Sequence, residues 1–92
     1  HLGRQHILLE IVRQLTLAKE SQGLSKADII QKVWQESYIP EVHDGKLYYN
    51  INRLRKLIEP DIRHPQYLLN ARMGYRLAPE LKIRVIDEKG MN

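Results

Sequence analysis

The segment from Asp44 to Ile58 carries the strongest folding signal in this chain of 92 residues. Its apolar residues recur at i, i+4, i+7 and i+11, namely Leu47, Ile51, Leu54 and Ile58. At about 100° per residue these four lie within about 40° of one line, so they form one face of an α-helix. The opposite face carries amide, phenol and cationic side chains, and no acidic residue occurs between Gly45 and Ile58. An ordinary solvated helix mixes glutamate with lysine there, so this face is typical of a surface that meets an anion.

The excess positive charge of the chain lies in one continuous stretch. Overall, 15 lysine and arginine residues stand against 11 acidic residues, which gives a net charge of +4. Between Lys46 and Arg76 there are seven basic residues and two acidic ones. Nucleic acid is the natural partner of such a stretch, although a solvated basic surface would give the same count.

Several classes of protein receive no support from the sequence. No apolar run approaches the roughly 18–20 residues of a membrane span, and no signal-peptide pattern is present, so we expect a cytoplasmic protein. The absence of cysteine excludes disulfides, thiolate zinc sites and cysteine nucleophiles. The four histidines are dispersed, and neither a phosphate-binding glycine loop nor a nucleophile motif occurs. We therefore expect no enzyme, no cofactor and no metal site. Because the chain begins with His1 rather than methionine, we interpret it as part of a longer protein or as following a removed tag.

Two further helices are predicted before this segment. The first runs from Arg4 to about Lys19, with an apolar stripe made of Ile7, Leu8, Ile11, Leu15 and Ala18. A polar stop follows, and its glycine, Gly23, can adopt the left-handed conformation that ends a helix. Ser25 is a good N-cap for the second helix, which must end before Pro40. Residues 35–45 show no periodicity and are predicted to be a loop.

A β-hairpin is predicted after the third helix, which Pro60 ends. Its strands are Tyr67–Leu69 and Tyr75–Leu77, and the turn between them suggests a positive φ at Gly74. A further strand is plausible over Leu81–Asp87. The order helix, helix, helix, hairpin predicts a mostly α fold with a small β-hairpin (α+β), a winged helix-turn-helix. We expect one domain over residues 1–92, with a core over about 4–79 and an extension over 80–92.

Three pieces of the sequence resemble one known family, the winged-helix output domain of response regulators of the OmpR/PhoB type. Residues 24–34 (LSKADIIQKVW) look like the second helix of that family with its closing Val-Trp. Residues 51–58 (INRLRKLI) are similar to its recognition helix, and residues 73–77 (MGYRL) look like its wing. The order and spacing of the three also match, over about residues 24–77.

The resemblance implies that the chain reads double-stranded DNA as part of a transcriptional regulator. The recognition helix, about 44–58, would lie in the major groove, and the wing, about 67–77, on the backbone or in the minor groove. Arg53 aligns with the base-contacting arginine of the family, and arginine pairs well with guanine O6 and N7. The resemblance also leaves room for RNA polymerase as a partner through the 35–45 loop, and for a homodimer on DNA.

Other candidate contacts follow from placing this helix in the groove. The amides of Asn50 and Asn52 suit adenine, and Lys46 and Tyr49 suit either bases or phosphates. Lys56 and Arg72 are predicted to meet phosphates. Arg55 and Arg76 are open between phosphate contact and internal ion pairs, whereas Trp34 and Tyr75 are expected in the core. The main alternative function is a winged helix that contacts protein or RNA without reading DNA.

Overall fold

The computed structural model describes residues 4–81 of the chain. The elements, in chain order, are α1 (Arg4–Leu17), a 3-10 turn (Lys19–Ser21), β1 (Leu24–Ser25), α2 (Lys26–Ile29) continuing into a π-helical turn (Ile30–Trp34), α3 (Pro40–Ile58), β2 (Leu68–Ala71) and β3 (Gly74–Leu77). Three helices followed by a hairpin confirm the predicted α+β winged-helix fold. The plausible strand over Leu81–Asp87 lies, apart from its first residue, outside the described residues.

The apolar stripes predicted for the helices meet in one core. Each of the three helices contributes three buried residues, and the sheet closes the core with two more: Leu8, Ile11, Leu15, Ile29, Ile30, Val33, Leu47, Ile51, Leu54, Leu68 and Leu77. Burying an aliphatic side chain of this size stabilises the fold by about 1.5–3 kcal/mol. Because α3 buries its apolar face in this core, its opposite face remains at the surface.

The start of α2 has the predicted cap and an additional strand. The Ser25 hydroxyl oxygen accepts the N–H of Asp28 at 3.0 Å, which satisfies one of the free donors at the helix start. Gly23 adopts a φ of +103°, a conformation that favours glycine. Leu24 and Ser25 form β1, which pairs with β3, so the described residues contain a three-stranded sheet in the order β1-β3-β2. Two residues are too few to show the alternation that reveals a strand in a sequence.

Gly74 corrects one expectation about the hairpin. Its φ is not in the left-handed region, where Gly23 is the only glycine among residues 4–81. The reason for a glycine here is the close approach of β1, since Ser25 is paired with Gly74. A Cβ at Gly74 would collide with the carbonyl oxygen of Leu24 and lie 2.8 Å from the backbone nitrogen of Lys26. The glycine is therefore required by strand packing and not by the turn.

The third helix begins earlier than predicted, at Pro40 instead of about Asp44. The predicted 35–45 loop was therefore too long, and the connection between the second and third helices covers residues 35–39. Proline is well accommodated in the first turn, because its missing N–H would have no partner there. The backbone N–H of Ile39 donates a hydrogen bond to Nδ1 of His43 at 2.9 Å, a contact that the sequence pattern did not reveal.

A single carboxylate connects the end of α3 to the hairpin. Glu59 follows the helix directly, and its two oxygens accept the backbone N–H groups of Gln66 at 2.7 Å, Tyr67 at 3.0 Å and Leu68 at 2.7 Å. Burial alone would raise the pKa of Glu59, but these three N–H groups and nearby Arg55 outweigh it and lower the pKa. Glu59 thus fixes where β2 starts relative to α3.

Candidate nucleic-acid interface

From Gly45 to Ile58, the surface of α3 opposite the core is open and carries no carboxylate. Tyr49 is 50% exposed, Lys56 is exposed, and Asn52 and Arg53 are half-buried. These side chains share one side of the helix because the other three lie three, four and seven residues after Tyr49. An α-helix is narrow enough to enter the major groove of double-stranded DNA.

Arg53 and Tyr49 form a pair on this surface. The Nη1 atom of Arg53 donates to the Tyr49 hydroxyl at 3.4 Å, and its Cζ lies 5.8 Å from the centroid of the Tyr49 ring. Both residues, together with Lys56 and Leu57, line an open cavity of about 270 Å³. A guanidinium held against an aromatic ring keeps its remaining N–H donors for an acceptor from outside the protein.

Lys46 is held at the start of the same surface by two other residues. Its ammonium lies 4.9 Å from the Trp34 ring centroid and 4.0 Å from Glu36 Oε1. The same Glu36 oxygen pairs with Nε2 of the buried His43 at 2.6 Å. This hydrogen bond first, and the charge of Lys46 second, lower the pKa of Glu36 against an opposing effect of burial. Lys46 is therefore already paired in the free protein, unlike a solvated lysine.

Two residues of α3 that were candidates for DNA contact, because of their side-chain chemistry, are turned toward the interior of the protein. Asn50 is 9% exposed, and its amide donates to the Lys46 carbonyl oxygen at 2.8 Å. Arg55 is 8% exposed and donates through Nε and Nη2 to the carbonyl oxygen of Leu68, at 3.0 and 2.8 Å. Of the two roles open for Arg55, the internal one is found, with hydrogen bonds to a backbone carbonyl in place of an ion pair. Arg55 also stacks over Tyr75, its Cζ being 5.9 Å from the ring centroid.

Arg72, one of the predicted phosphate contacts, lies at the tip of the wing. A two-residue turn, Arg72 and Met73, joins β2 to β3, and both residues are exposed. The Met73 carbonyl oxygen accepts the N–H of Lys26 at 2.9 Å, which ties the wing to the start of α2. Arg76 lies on β3 and is half-buried, and its Nε has no hydrogen-bond partner within residues 4–81. Tyr75 and Trp34 are both partly buried and packed against the core.

The comparison with known families decides what kind of domain this is. Residues 8–77 match the family described as the C-terminal domain of transcriptional regulatory proteins. The chain belongs to this family. The resemblance to the OmpR/PhoB-type effector domain is thereby confirmed.

The chain is also similar to part of one curated protein. Over 76 residues it is 38% identical to the protein named "Probable transcriptional regulator ycf27" of Guillardia theta, an alignment that covers 79% of this chain. The same alignment covers 28% of that protein, so the chain spans less than a third of the relative's length. The family is one of transcriptional regulatory domains and not a class of enzymes.

One group that sequence reasoning missed stabilises the connection between the second and third helices of the effector domain. The Tyr38 hydroxyl donates to Asp44 Oδ1, and the Lys26 ammonium lies 3.4 Å from the same oxygen. The hydrogen bond from Tyr38, followed by that from Lys26, lowers the pKa of Asp44. These three residues come from different segments, so no spacing in the sequence could have linked them.

The described part of the effector domain contains neither a cluster of metal ligands nor a helix suited to a membrane. Residues 4–81 contain no group of three or more histidine, cysteine or acidic side chains that could hold a metal ion. Within the same range no helix is both long enough and apolar enough to cross a lipid bilayer.

Proposed function

We propose that this effector domain binds double-stranded DNA sequence-specifically, with α3 in the major groove and the β2–β3 wing on the backbone or in the minor groove. The observation that carries the proposal is the outer face of α3, which is exposed, cationic and without a carboxylate from Gly45 to Ile58. Membership in a family of transcriptional regulators supports the same function. A face of this kind gains free energy by releasing counterions from phosphates.

The contacts are divided between reading and positioning. Arg53 and the neighbouring Asn52 are proposed to contact base edges in the groove. Tyr49 is proposed to lie beside them at the same contact. Lys56 and Arg72 are exposed and are proposed to meet phosphates, which orient the protein without reading sequence. Lys46 would exchange its ion pair with Glu36 for a phosphate, so its net contribution is smaller. Asn50, whose amide is used inside the helix, has no place in this set.

Two partners beyond DNA remain predictions. RNA polymerase would contact the region predicted as the 35–45 loop, which the structure divides into the 35–39 connection and residues 40–45 of α3. There Ile39 and Val42 are 48% and 58% exposed, more than apolar residues of a packed core. A homodimer on DNA would require a second copy of the domain at an adjacent half-site.

Substitution of two cationic residues on the same face of α3, followed by measurement of DNA affinity, tests the proposal. A preferred duplex is first selected from a randomised pool with the full chain. Arg53→Ala should then weaken binding to that duplex by about 1–3 kcal/mol and relax the preference at one base pair. Lys56→Ala, the matched control, should weaken selected and scrambled duplexes alike.

The results that contradict the proposal are equally specific. If Arg53→Ala lowers the affinity for the selected and the scrambled duplex by the same factor, Arg53 is a phosphate contact and does not contact a base. If neither variant changes the affinity, α3 is not the reading element, and the protein-contact alternative becomes the better account.

A further inference from the structure

Tyr49 and Arg53 are one helical turn apart, and the position of one constrains the other. Their side chains meet on the outer face of α3 because residues four apart are neighbours on a helix. The Tyr49 hydroxyl accepts a hydrogen bond from Nη1 of Arg53 at 3.4 Å, and the Arg53 guanidinium carbon lies 5.8 Å from the Tyr49 ring centroid. Two different interactions, one polar and one with the ring, therefore restrict the same guanidinium.

The surroundings of Arg53 also determine which edge of its guanidinium can serve a ligand. Its Nε is covered by protein and has no hydrogen-bond partner among residues 4–81. The donors that remain are those of Nη1 and Nη2, each of which carries two N–H groups. Nη1 can donate one to Tyr49 while its other N–H and one from Nη2 form a parallel pair. Such a pair is what a bidentate contact with guanine O6 and N7 requires.

We propose that Tyr49 is a positioning residue for Arg53 and thereby sets specificity at the base pair that Arg53 reads. The inference rests on the proposed DNA-binding function and adds a residue that acts through another. A free arginine side chain samples many rotamers, and ordering it on binding costs entropy. Tyr49 limits those rotamers before DNA arrives, so more of the contact energy is retained as affinity for the correct base.

The experiment removes the hydroxyl and keeps the ring. Tyr49→Phe should lower affinity for the selected duplex about three- to tenfold, the range of one hydrogen bond, because Nη1 loses its acceptor. Affinity for a duplex altered at the base pair read by Arg53 should stay within about twofold, since no bidentate contact exists there to be weakened. Tyr48→Phe is the matched control, because Tyr48 is 58% exposed on a different side of α3. It should change neither affinity.

A double-mutant cycle separates positioning from direct contact with DNA. In the Arg53→Ala background, Tyr49→Phe should have no further effect on either duplex, because its action passes through Arg53. A loss that persists in that background, or that is equal on both duplexes, would overturn the proposal and make Tyr49 a DNA contact in its own right. Unchanged affinity of Tyr49→Phe on both duplexes would also overturn it. An Arg53→Ala protein that keeps the wild-type preference would instead reject the reading role of Arg53, and that of Tyr49 with it.

Discussion

Arg53 and Arg55 are two residues apart on α3, and the structure gives them opposite roles. Two residues rotate a helix by about 200°, so one guanidinium lies on the outer face and the other is carried toward the sheet. Arg55 donates twice to the Leu68 carbonyl oxygen, a fork geometry that lysine cannot reproduce. Two identical residue types thus differ in placement: Arg53 lies on the outer face of α3, and Arg55 links α3 to β2.

Glu59 offers a pH-dependent test of the link between α3 and the wing. Glu59→Gln should lower the free energy of unfolding at pH 7 by about 1–2 kcal/mol, since a charged acceptor of three N–H groups is lost. The pKa of Glu59 is lowered from its ordinary 4.5 in the folded protein. Its contribution is therefore full above pH 4.5 and is lost as the pH falls through the lowered pKa.

Urea denaturation of both proteins between pH 7 and pH 2 measures this effect. The stability curves of wild type and Glu59→Gln should converge at the acidic end. Glu80→Gln, at an exposed glutamate outside the helices and strands, is the control and should follow the wild type throughout. A gap between wild type and Glu59→Gln that stays constant with pH would show that the carboxylate charge does not matter.

At the scale of elements, the short strand β1 decides how the wing is attached. It pairs with β3 through Leu24 opposite Tyr75 and Ser25 opposite Gly74. The same backbone leads directly into α2, whose first N–H, that of Lys26, donates to Met73 at the wing tip. The wing is consequently fixed to the helical body on two sides, by β1 and by the Arg55 and Glu59 contacts.

A matched pair of glycine substitutions tests this attachment. Gly74→Ala should lower the free energy of unfolding by about 2–4 kcal/mol, because its Cβ meets backbone atoms that can move only if β1 and β3 separate. Gly45→Ala, inside α3 with nothing within 4 Å of an added Cβ, should raise stability by about 0.5–1 kcal/mol. Thermal denaturation followed by circular dichroism measures both. A Gly74→Ala protein as stable as wild type would show that β1 does not pair with β3 as described.

For the whole molecule, the decisive property is the separation of charge along the chain. Seven of the 15 basic residues fall between Lys46 and Arg76, a stretch that contains most of α3 and the wing, with two acidic residues among them. This concentration on two adjacent elements is stronger evidence for a polyanionic partner than the net charge of +4.

Salt dependence of DNA binding tests the charge argument directly. If about five to seven phosphates are contacted, the logarithm of the binding constant should fall linearly with the logarithm of salt concentration, with a slope near −5. A fluorescent duplex titrated from low to physiological salt measures it. Lys56→Ala should reduce the slope by about one. An affinity that hardly responds to salt would be incompatible with DNA as the ligand.

The sequence by itself determined the features that arise from neighbours within one or two turns of chain. The apolar faces of α1 and α3, the Ser25 cap and the outer face of α3 from Gly45 to Ile58, which lacks acidic residues, all follow from spacings of three, four and seven residues. Three short motifs in register were enough to indicate the family. Periodicity works here because each helix must bury one stripe in a common core.

Only the tertiary structure decided the features that join distant parts of the chain. Leu24 and Tyr75 pair across the sheet, and Tyr38, Asp44 and Lys26 meet from three segments. The beginning of α3 at Pro40 also escaped prediction, since proline suits both a loop and a first helical turn. Spacing along the chain carries no information about such contacts, because their partners are chosen by the packing of whole elements against each other. The same packing determined which cations of α3 face solvent and which, like Arg55, are used inside the fold.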